Sequence, residues 1–362
     1  KEINTFEWSK PIQLYSYAYH SFKYSHVSIG QNNEARIKLR LQMKTVFITG
    51  ANGLLGTNLT LKLLEEGYGV KALVRDKKSF IRFSHENLEL IQGDLSDPKQ
   101  LKHVSKECTI VVHIAANTSQ DLLYLKDYEE ANVQGTKNII EMCTNNAMEQ
   151  LIYIGTANTY GYGSLDALGN ESKPMRYPHT QSLYAQSKAE AQKCIDAASS
   201  KINTVTLSPT FMIGANDTKP SSGKLILAVL NKKVAFYPSG GKNVVAVNDV
   251  VHGIIKAFSL KESGHKLILA NENLSYKTLF KKIIEQNKQH TLLIPIPDLL
   301  LYALGFLGDI LRFFKIKTNV SSANLAVLRI NNFYGNSKAT NELNMGFTPI
   351  EGAIQEAIFY FN

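Results

Sequence analysis

The stretch that most limits what this chain can fold into lies at residues 45–66, where a short apolar run, a glycine-rich turn and a helical segment follow one another. Val46-Phe47-Ile48 reads as a buried strand, and Thr49-Gly50-Ala51-Asn52-Gly53-Leu54-Leu55-Gly56 is the turn. The helix runs from Leu54 to Glu66 and is stopped by Gly67 and Gly69. Gly50 permits the tight turn, Gly53 leaves the backbone open to a pyrophosphate, and Gly56 lets the helix pack closely on the strand. The helix N-terminus adds free N–H groups and partial positive charge. Three glycines alone are common in loops. Between a strand and a helix, at the start of a βαβ unit, they indicate a dinucleotide site that includes Asn52, Leu54 and Leu55.

The rest of the chain continues the alternation. Strands are expected at 70–74, 88–91, 109–114, 151–154 and 205–207, with helices at 128–146 and 182–198. Short apolar runs separated by helices require a parallel sheet covered on both faces. The expected fold class is α/β, a Rossmann-type doubly wound parallel sheet with a smaller C-terminal substrate lobe. The dinucleotide-binding domain is expected at 43–209 plus 243–262, and the substrate-binding lobe at 210–242 plus 263–362. The most apolar stretch, 292–314, is interrupted by Pro295, Pro297, Asp298, Asp309 and Arg312, so it fails as a spanning helix. It is read as a buried helix of the second lobe, with a helix lying in a membrane interface as the lesser reading.

Composition narrows the function classes. With 44% hydrophobic and 20% charged residues in 362, the chain is an ordinary globular protein. The net charge of +9 is spread without long runs of one sign, which argues against a nucleic-acid partner. Cys108, Cys143 and Cys194 are odd in number and far apart, so neither a disulfide framework nor a zinc site is expected, and a reducing cytoplasm fits. The histidines lack metal-ligand spacing. Residues 1–42 hold the only Trp and six of the basic residues, and lack the apolar core of a signal peptide. They are expected to be a disordered or non-native tail, with Met43 as the natural start.

The end of the second strand bears on which dinucleotide binds. An acidic residue is usual there for ribose hydroxyls. Here the strand ends in Val74-Arg75, with Lys77, Lys78 and Arg82 nearby. A guanidinium binds phosphate oxygens bidentately, which favours NADP(H) over NAD(H), although Asp76 could serve a ribose. Asp94 in Gly93-Asp94-Leu95 is placed to accept from the adenine amino group or to cap the next helix. Ala115 and Ala116 leave room for a ribose, and His113 is read as a packing residue.

The candidate catalytic group is Tyr184-Ala185-Gln186-Ser187-Lys188 with Thr156. A phenol and an ammonium four residues apart share one helix face, and the ammonium lowers the phenol pKa. Thr156 stands at the carboxyl end of the fifth strand, where ligands of such sheets bind.

With these motifs the chain resembles the extended short-chain dehydrogenase/reductases, over 44 to the C-terminus. The matches are TGANGLLG at 49–56, GDL at 93–95, HIAA at 113–116, NVQGT at 132–136, the 155–161 segment and 184–188. Val74-Arg75-Asp76 and the Pro209-Thr210-Phe211-Met212-Ile213-Gly214 segment are most similar to the branch of dihydroflavonol 4-reductase, cinnamoyl-CoA reductase and 3β-hydroxysteroid dehydrogenase. The family's usual active-site Ser is Thr156 here. The resemblance implies Leu95, Pro209, Tyr184 and Lys188 as further cofactor contacts, and often a homodimer through helices like 128–146 and 182–198.

The expected activity is NADP(H)-dependent reduction of a carbonyl, or oxidation of a secondary alcohol, on a small substrate. Nucleotide sugars are disfavoured, because the Arg-rich segment of epimerases and the acidic residues of dehydratases are missing. A sugar epimerase or dehydratase and a non-catalytic dinucleotide-binding protein are the alternatives. Asn117, Thr118, Tyr160, Phe211 and Met212 are candidates to line the substrate pocket by position, as is Lys224.

Overall fold

The computed structural model describes residues 44–81, 83–218, 220 and 222–362, so the expectations for the tail and for Arg82 lie outside it. Residues 44–362 form one contact unit. The chain runs β1 (Thr45–Thr49), α1 (Leu54–Glu65), β2 (Gly69–Val74), β3 (Leu88–Gln92), α2 (Pro98–Val104) and β4 (Ile110–His113). Next come α3 (Lys126–Glu129), a π-helical turn (Glu130–Gln134) and α4 (Gly135–Asn145), without a break in helical backbone. They are followed by β5 (Gln150–Ile154), α5 (Leu183–Ala198), β6 (Asn203–Pro209), β7 (Phe211–Ile213), α6 (Gly223–Leu227), β8 (Val234–Tyr237) and β9 (Gly241–Ala246). The remainder is α7 (Val247–Ala257), β10 (His265–Leu269), β11 (Glu272–Ser275), α8 (Tyr276–Gln286), β12 (Leu292–Pro295), α9 (Asp298–Phe313), α10 (Ser322–Ala326), β13 (Asn331–Asn332), α11 (Ser337–Leu343) and α12 (Ile350–Phe361).

Seven strands form one parallel sheet in the order β10-β6-β5-β4-β1-β2-β3. The order reverses between β1 and β4, where an open α/β sheet binds its ligand. β1 shows why both faces must be covered. Val46 and Ile48 point into one apolar cluster with Leu55, Leu59 and Val250, whereas Phe47 points into another with Ile139, Cys143 and Ile195. A strand buried on both sides reads as a continuous apolar run rather than an alternating one.

β9 is the centre of a smaller sheet, antiparallel to β11 and parallel to β7 and β13. β8 and β12 make a separate two-stranded ribbon. β9 belongs to the small sheet, and β10, further along the chain, extends the large one. The reason is a second crossover, in which α7 carries the chain from the small sheet back along α1 to the edge of β6. One correction concerns 292–314. It is helical from Asp298, but only Leu301, Gly305 and Gly308 of α9 are buried.

Cys108 and Cys143 are free and buried, and burial pushes both thiols up, Cys108 to about 12. Such thiols are packing groups rather than nucleophiles.

Candidate active site

The glycine turn is built by close approach. Gly50 adopts φ +72°, and a Cβ there would stand 2.7 Å from the backbone nitrogen of Ala115. A Cβ on Gly56 would stand 2.2 Å from the Gly50 carbonyl oxygen. Gly53 differs: a Cβ there would meet only the Gly50 oxygen, at 3.6 Å, so space is open above the turn. Gly53 is the N-cap of α1, and no side chain caps the helix. Uncapped N–H groups beside an open cradle fit a pyrophosphate.

The turn is tied to the loop after β2. Asn52 Nδ2 donates to Ser79 Oγ at 2.7 Å, and Ser79 Oγ donates to the Asp76 carbonyl at 2.6 Å. Asp76 Oδ1 accepts from Lys78 N, so this carboxylate shapes its own loop. Arg75, Lys77 and Lys78 are exposed at the strand end. Asp94 accepts from Ser96 N at 2.9 Å, and that bond, with Arg75 adding to it, holds its carboxyl below the usual range. The N-cap of α2 is Asp97, which accepts from Gln100 N, so Asp94 is not the capping residue. Leu95 packs against Gly135 and its carbonyl accepts from Asn138. Ala115 N donates to Thr49 Oγ1 at 3.2 Å, and Ala116 follows, half-buried. Leu54 and Leu55 are buried at the start of α1, and Pro209 is buried at the end of β6.

His113 is enclosed between two threonines, with Nδ1 2.8 Å from Thr49 Oγ1 and Nε2 3.0 Å from Thr136 Oγ1. Burial pushes it down to about 3, with Lys188 adding to the shift. A neutral imidazole with both nitrogens engaged is a strut, as expected.

Thr156, Tyr184 and Lys188 come together at the carboxyl end of β5. Ser182 caps α5 by accepting from Ala185 N, which starts the helix two residues before the phenol. The Tyr184 phenol lies close enough to the Thr156 side chain for that side chain to favour the phenolate. The Lys188 ammonium is buried, donates to the Ile154 carbonyl at 2.7 Å, and lies 4.2 Å from the centroid of the Tyr153 ring. Burial pushes Lys188 down to about 7. Tyr184 corrects the sequence reading. Burial outweighs the influence of Thr156 and pushes the phenol up to about 12 rather than down. The cost of desolvating a phenolate is what helical spacing alone does not show.

The sequence missed what holds this group in place. Asn132, in the π-helical turn, accepts from Asn117 N at 2.6 Å and donates to the Asn117 carbonyl at 3.1 Å and to Ser187 Oγ at 2.9 Å. It therefore joins the β4 loop to α5 between Tyr184 and Lys188. The signal was the 132–136 segment, but a π turn that aims a side chain inward has no mark in hydrophobic periodicity.

The expected pocket residues divide. Asn117 is pinned by Asn132 and Thr118 is exposed beside it. Phe211 and Met212 are half-buried on β7, and Lys224 is exposed on α6. Tyr160 is not a lining residue. It is buried with Ala157, Ile268 and Tyr334, and its hydroxyl accepts from Gln192 Nε2 at 2.9 Å. Lys242, which sequence reasoning passed over, is half-buried on β9, with Nζ 4.6 Å from the centroid of the Phe211 ring. Burial pushes it down to about 8. His179, five residues before Tyr184, is close enough for the Lys242 charge to lower its own pKa.

Residues 46–270 match the family model described as NAD dependent epimerase/dehydratase family. Over 325 residues the chain is 27% identical to a putative dihydroflavonol 4-reductase of Synechocystis sp., covering 87% of this chain and 94% of that protein. It is 24% identical to a sterol-4-alpha-carboxylate 3-dehydrogenase, decarboxylating, of Dictyostelium discoideum, covering 76% and 87%. A 2-alkyl-3-oxoalkanoate reductase of Shewanella oneidensis is 30% identical over 49% of this chain and 47% of its own length. Among solved structures, the crystal structure of gox2253 superposes with a TM-score of 0.74 at 27% identity, over 88% of this chain and 98% of that one.

Proposed function

The chain belongs to the NAD dependent epimerase/dehydratase family and is an NAD(P)-dependent oxidoreductase; on that footing we propose that it uses NADP(H) to reduce a carbonyl, or oxidise the matching secondary alcohol, of a small substrate other than a nucleotide sugar. The observation that carries this reading is the Tyr184 phenol beside the Thr156 side chain, with the buried Lys188 ammonium one helical turn away and bonded to the Ile154 carbonyl at the end of β5.

Thr156 and Tyr184 would take the carbonyl oxygen between them. Burial keeps Tyr184 protonated at neutral pH, so it can give its proton to the oxygen as negative charge develops there. The Lys188 charge stabilises the phenolate left behind, and its other N–H bonds would hold the nicotinamide-ribose hydroxyls. When bound, the nicotinamide supplies the hydride or accepts it in the reverse direction. Gly50 to Gly56 would hold the pyrophosphate, Asp94 the adenine amino group, and Arg75 a 2′-phosphate.

The test is cofactor oxidation over a carbonyl panel, with UDP-sugars in a parallel arm. NADPH-dependent reduction of a carbonyl is expected. Conversion of a UDP-sugar with no net cofactor change would overturn the reading. Arg75→Glu is expected to lower the NADPH-over-NADH ratio of kcat/KM by roughly 10–100-fold, the range of a lost charge-assisted contact. An unchanged ratio would remove Arg75 from the phosphate site.

Lys242 supports an anionic group on the substrate, because a half-buried ammonium whose charge burial disfavours gains from an anionic ligand. The names of two relatives specify a carboxylate, as sterol-4-alpha-carboxylate and as 3-oxoalkanoate. Lys242→Met is expected to raise KM for a 3-oxo acid by about tenfold or more and leave that for a neutral ketone unchanged. Equal effects on both would count against the carboxylate.

A further inference from the structure

The exposed apolar surface is concentrated in one place. Of nineteen exposed large apolar side chains among the described residues, twelve lie between 292 and 320. On α9 they form a stripe: Leu299, Phe306, Ile310 and Phe313 recur at helical spacing on the side facing away from the protein, and Tyr302 between them carries the Arg329 guanidinium on its ring. Leu301, Gly305 and Gly308 form the opposite side. A Cβ on Gly308 would stand 2.2 Å from the Val320 carbonyl oxygen, so the helix backbone rests directly on the segment before α10. Arg312 fastens the C-terminal end by donating to the Thr318 carbonyl at 2.9 Å and to the carbonyls of Gln120 and Leu122. The helix is thus clamped to the fold with its apolar face outward, the reverse of a surface helix in a water-facing position.

The charges around this face share one sign. Lys315 and Lys317 are exposed directly after Phe313-Phe314. At the other end, beside exposed Leu292 and Val234, Lys232, Lys233 and Lys288 are exposed. The only acids between 292 and 320 are Asp298 and Asp309. Asp298 accepts from Ser239 Oγ at 2.6 Å and Asp309 from Ser322 N at 3.0 Å, so each is turned to a partner in the protein. No helix among the described residues is long and apolar enough to cross a membrane. At 16 residues α9 is about 24 Å long, short of the roughly 30 Å hydrocarbon core.

We propose that α9 and the adjoining β8–β12 ribbon dock this protein on an anionic lipid surface, with the apolar stripe of α9 lying in the headgroup boundary and the flanking lysines on lipid phosphates. Aromatic and leucine side chains on one face with cations at its margins are what such a boundary accepts. A symmetric second copy seated on the same patch would bring these lysines against their own images, which is unfavourable. Because Arg312 and Asn324 hold the Gln120 carbonyl, next to Thr118, the docked helix would border one wall of the candidate pocket.

The test is sedimentation of the full chain with vesicles of phosphatidylglycerol and phosphatidylcholine, and of phosphatidylcholine alone. Leu299→Ser/Phe313→Ser is the informative variant, because these side chains are 79% and 82% exposed and hold no part of the fold. The parent is expected to pellet with the anionic vesicles, less so at raised salt. The variant is expected to partition about tenfold or more weakly, with thermal midpoint and NADP(H) binding unchanged. Lys315→Glu/Lys317→Glu is expected to lose the anionic preference. Failure of the parent to pellet, equal partition of the variant, or a dimer by light scattering that this variant dissolves would overturn the proposal.

Discussion

Tyr184→Phe is expected to lower kcat for carbonyl reduction by roughly 10²–10⁴-fold, the usual contribution of a positioned proton donor, while NADP(H) affinity changes little. The substitution removes one oxygen and keeps the ring. That oxygen neighbours the Thr156 side chain, and α5 is capped by Ser182 instead, so neither the helix nor the sheet loses a support. Thermal unfolding should therefore be unchanged, and turnover equal to the parent would remove Tyr184 from the reaction. The pH profile adds a second readout. kcat/KM reports the free enzyme, in which burial places Lys188 at about 7 and Tyr184 at about 12. Below the Lys188 value the ammonium is charged and can stabilise the phenolate. As pH rises through it that charge is lost, while Tyr184 stays protonated. Reduction should thus be fastest on the acid side and fall above about pH 7. A profile flat across roughly pH 6–9 would show that Lys188 keeps its charge and its ordinary range.

Gly56→Ala is the second large effect. Its Cβ would lie 2.2 Å from the Gly50 carbonyl oxygen and 2.6 Å from Ala51 Cα, and both are backbone atoms that cannot rotate away. Helix α1 must lift from the turn, which costs about 1–3 kcal/mol as overpacking does and moves the N–H groups that face the pyrophosphate. A lower thermal midpoint and a loss of NADP(H) affinity of about tenfold or more are expected together. Gly53→Ala separates the two. With its nearest neighbour at 3.6 Å, the added methyl leaves the fold undisturbed, yet it fills the space above the turn. Full stability with weakened cofactor binding would place the pyrophosphate over Gly53, and unchanged binding would place it elsewhere.

Much of this architecture is legible along the chain because its signals are local. The glycines at 50 and 56 are required by close approach within the turn and to Ala115 after β4, whereas Gly53 keeps the space above the turn open. Runs such as Val46-Phe47-Ile48 and Leu151-Ile152-Tyr153-Ile154 are apolar throughout because both faces of the sheet are covered. Tyr184 and Lys188 share a face by helical spacing alone.

Other features depend on residues far apart in sequence. β10 joins the large sheet through pairing with β6, about sixty residues earlier, and a five-residue strand does not announce its partner. Tyr160 stands in the segment after Thr156 where a pocket residue is expected, but Gln192 and Tyr334 enclose it. The apolar run 292–314 has the composition of a buried helix. Whether a neighbour covers it is set by where the rest of the lobe lies, and only a narrow strip of α9 finds one.

The linear order of residues was thus sufficient for the parallel α/β sheet, the glycine turn between β1 and α1 and the shared helix face of Tyr184 and Lys188, since each follows from short-range sterics or a repeat period. The ionisation of that pair, the Asn132 brace, the half-burial of Lys242 and the outward face of α9 were decided by tertiary structure. Desolvation, charge pairing and exposure are properties of what surrounds a side chain, and those surroundings exist only once distant segments have packed.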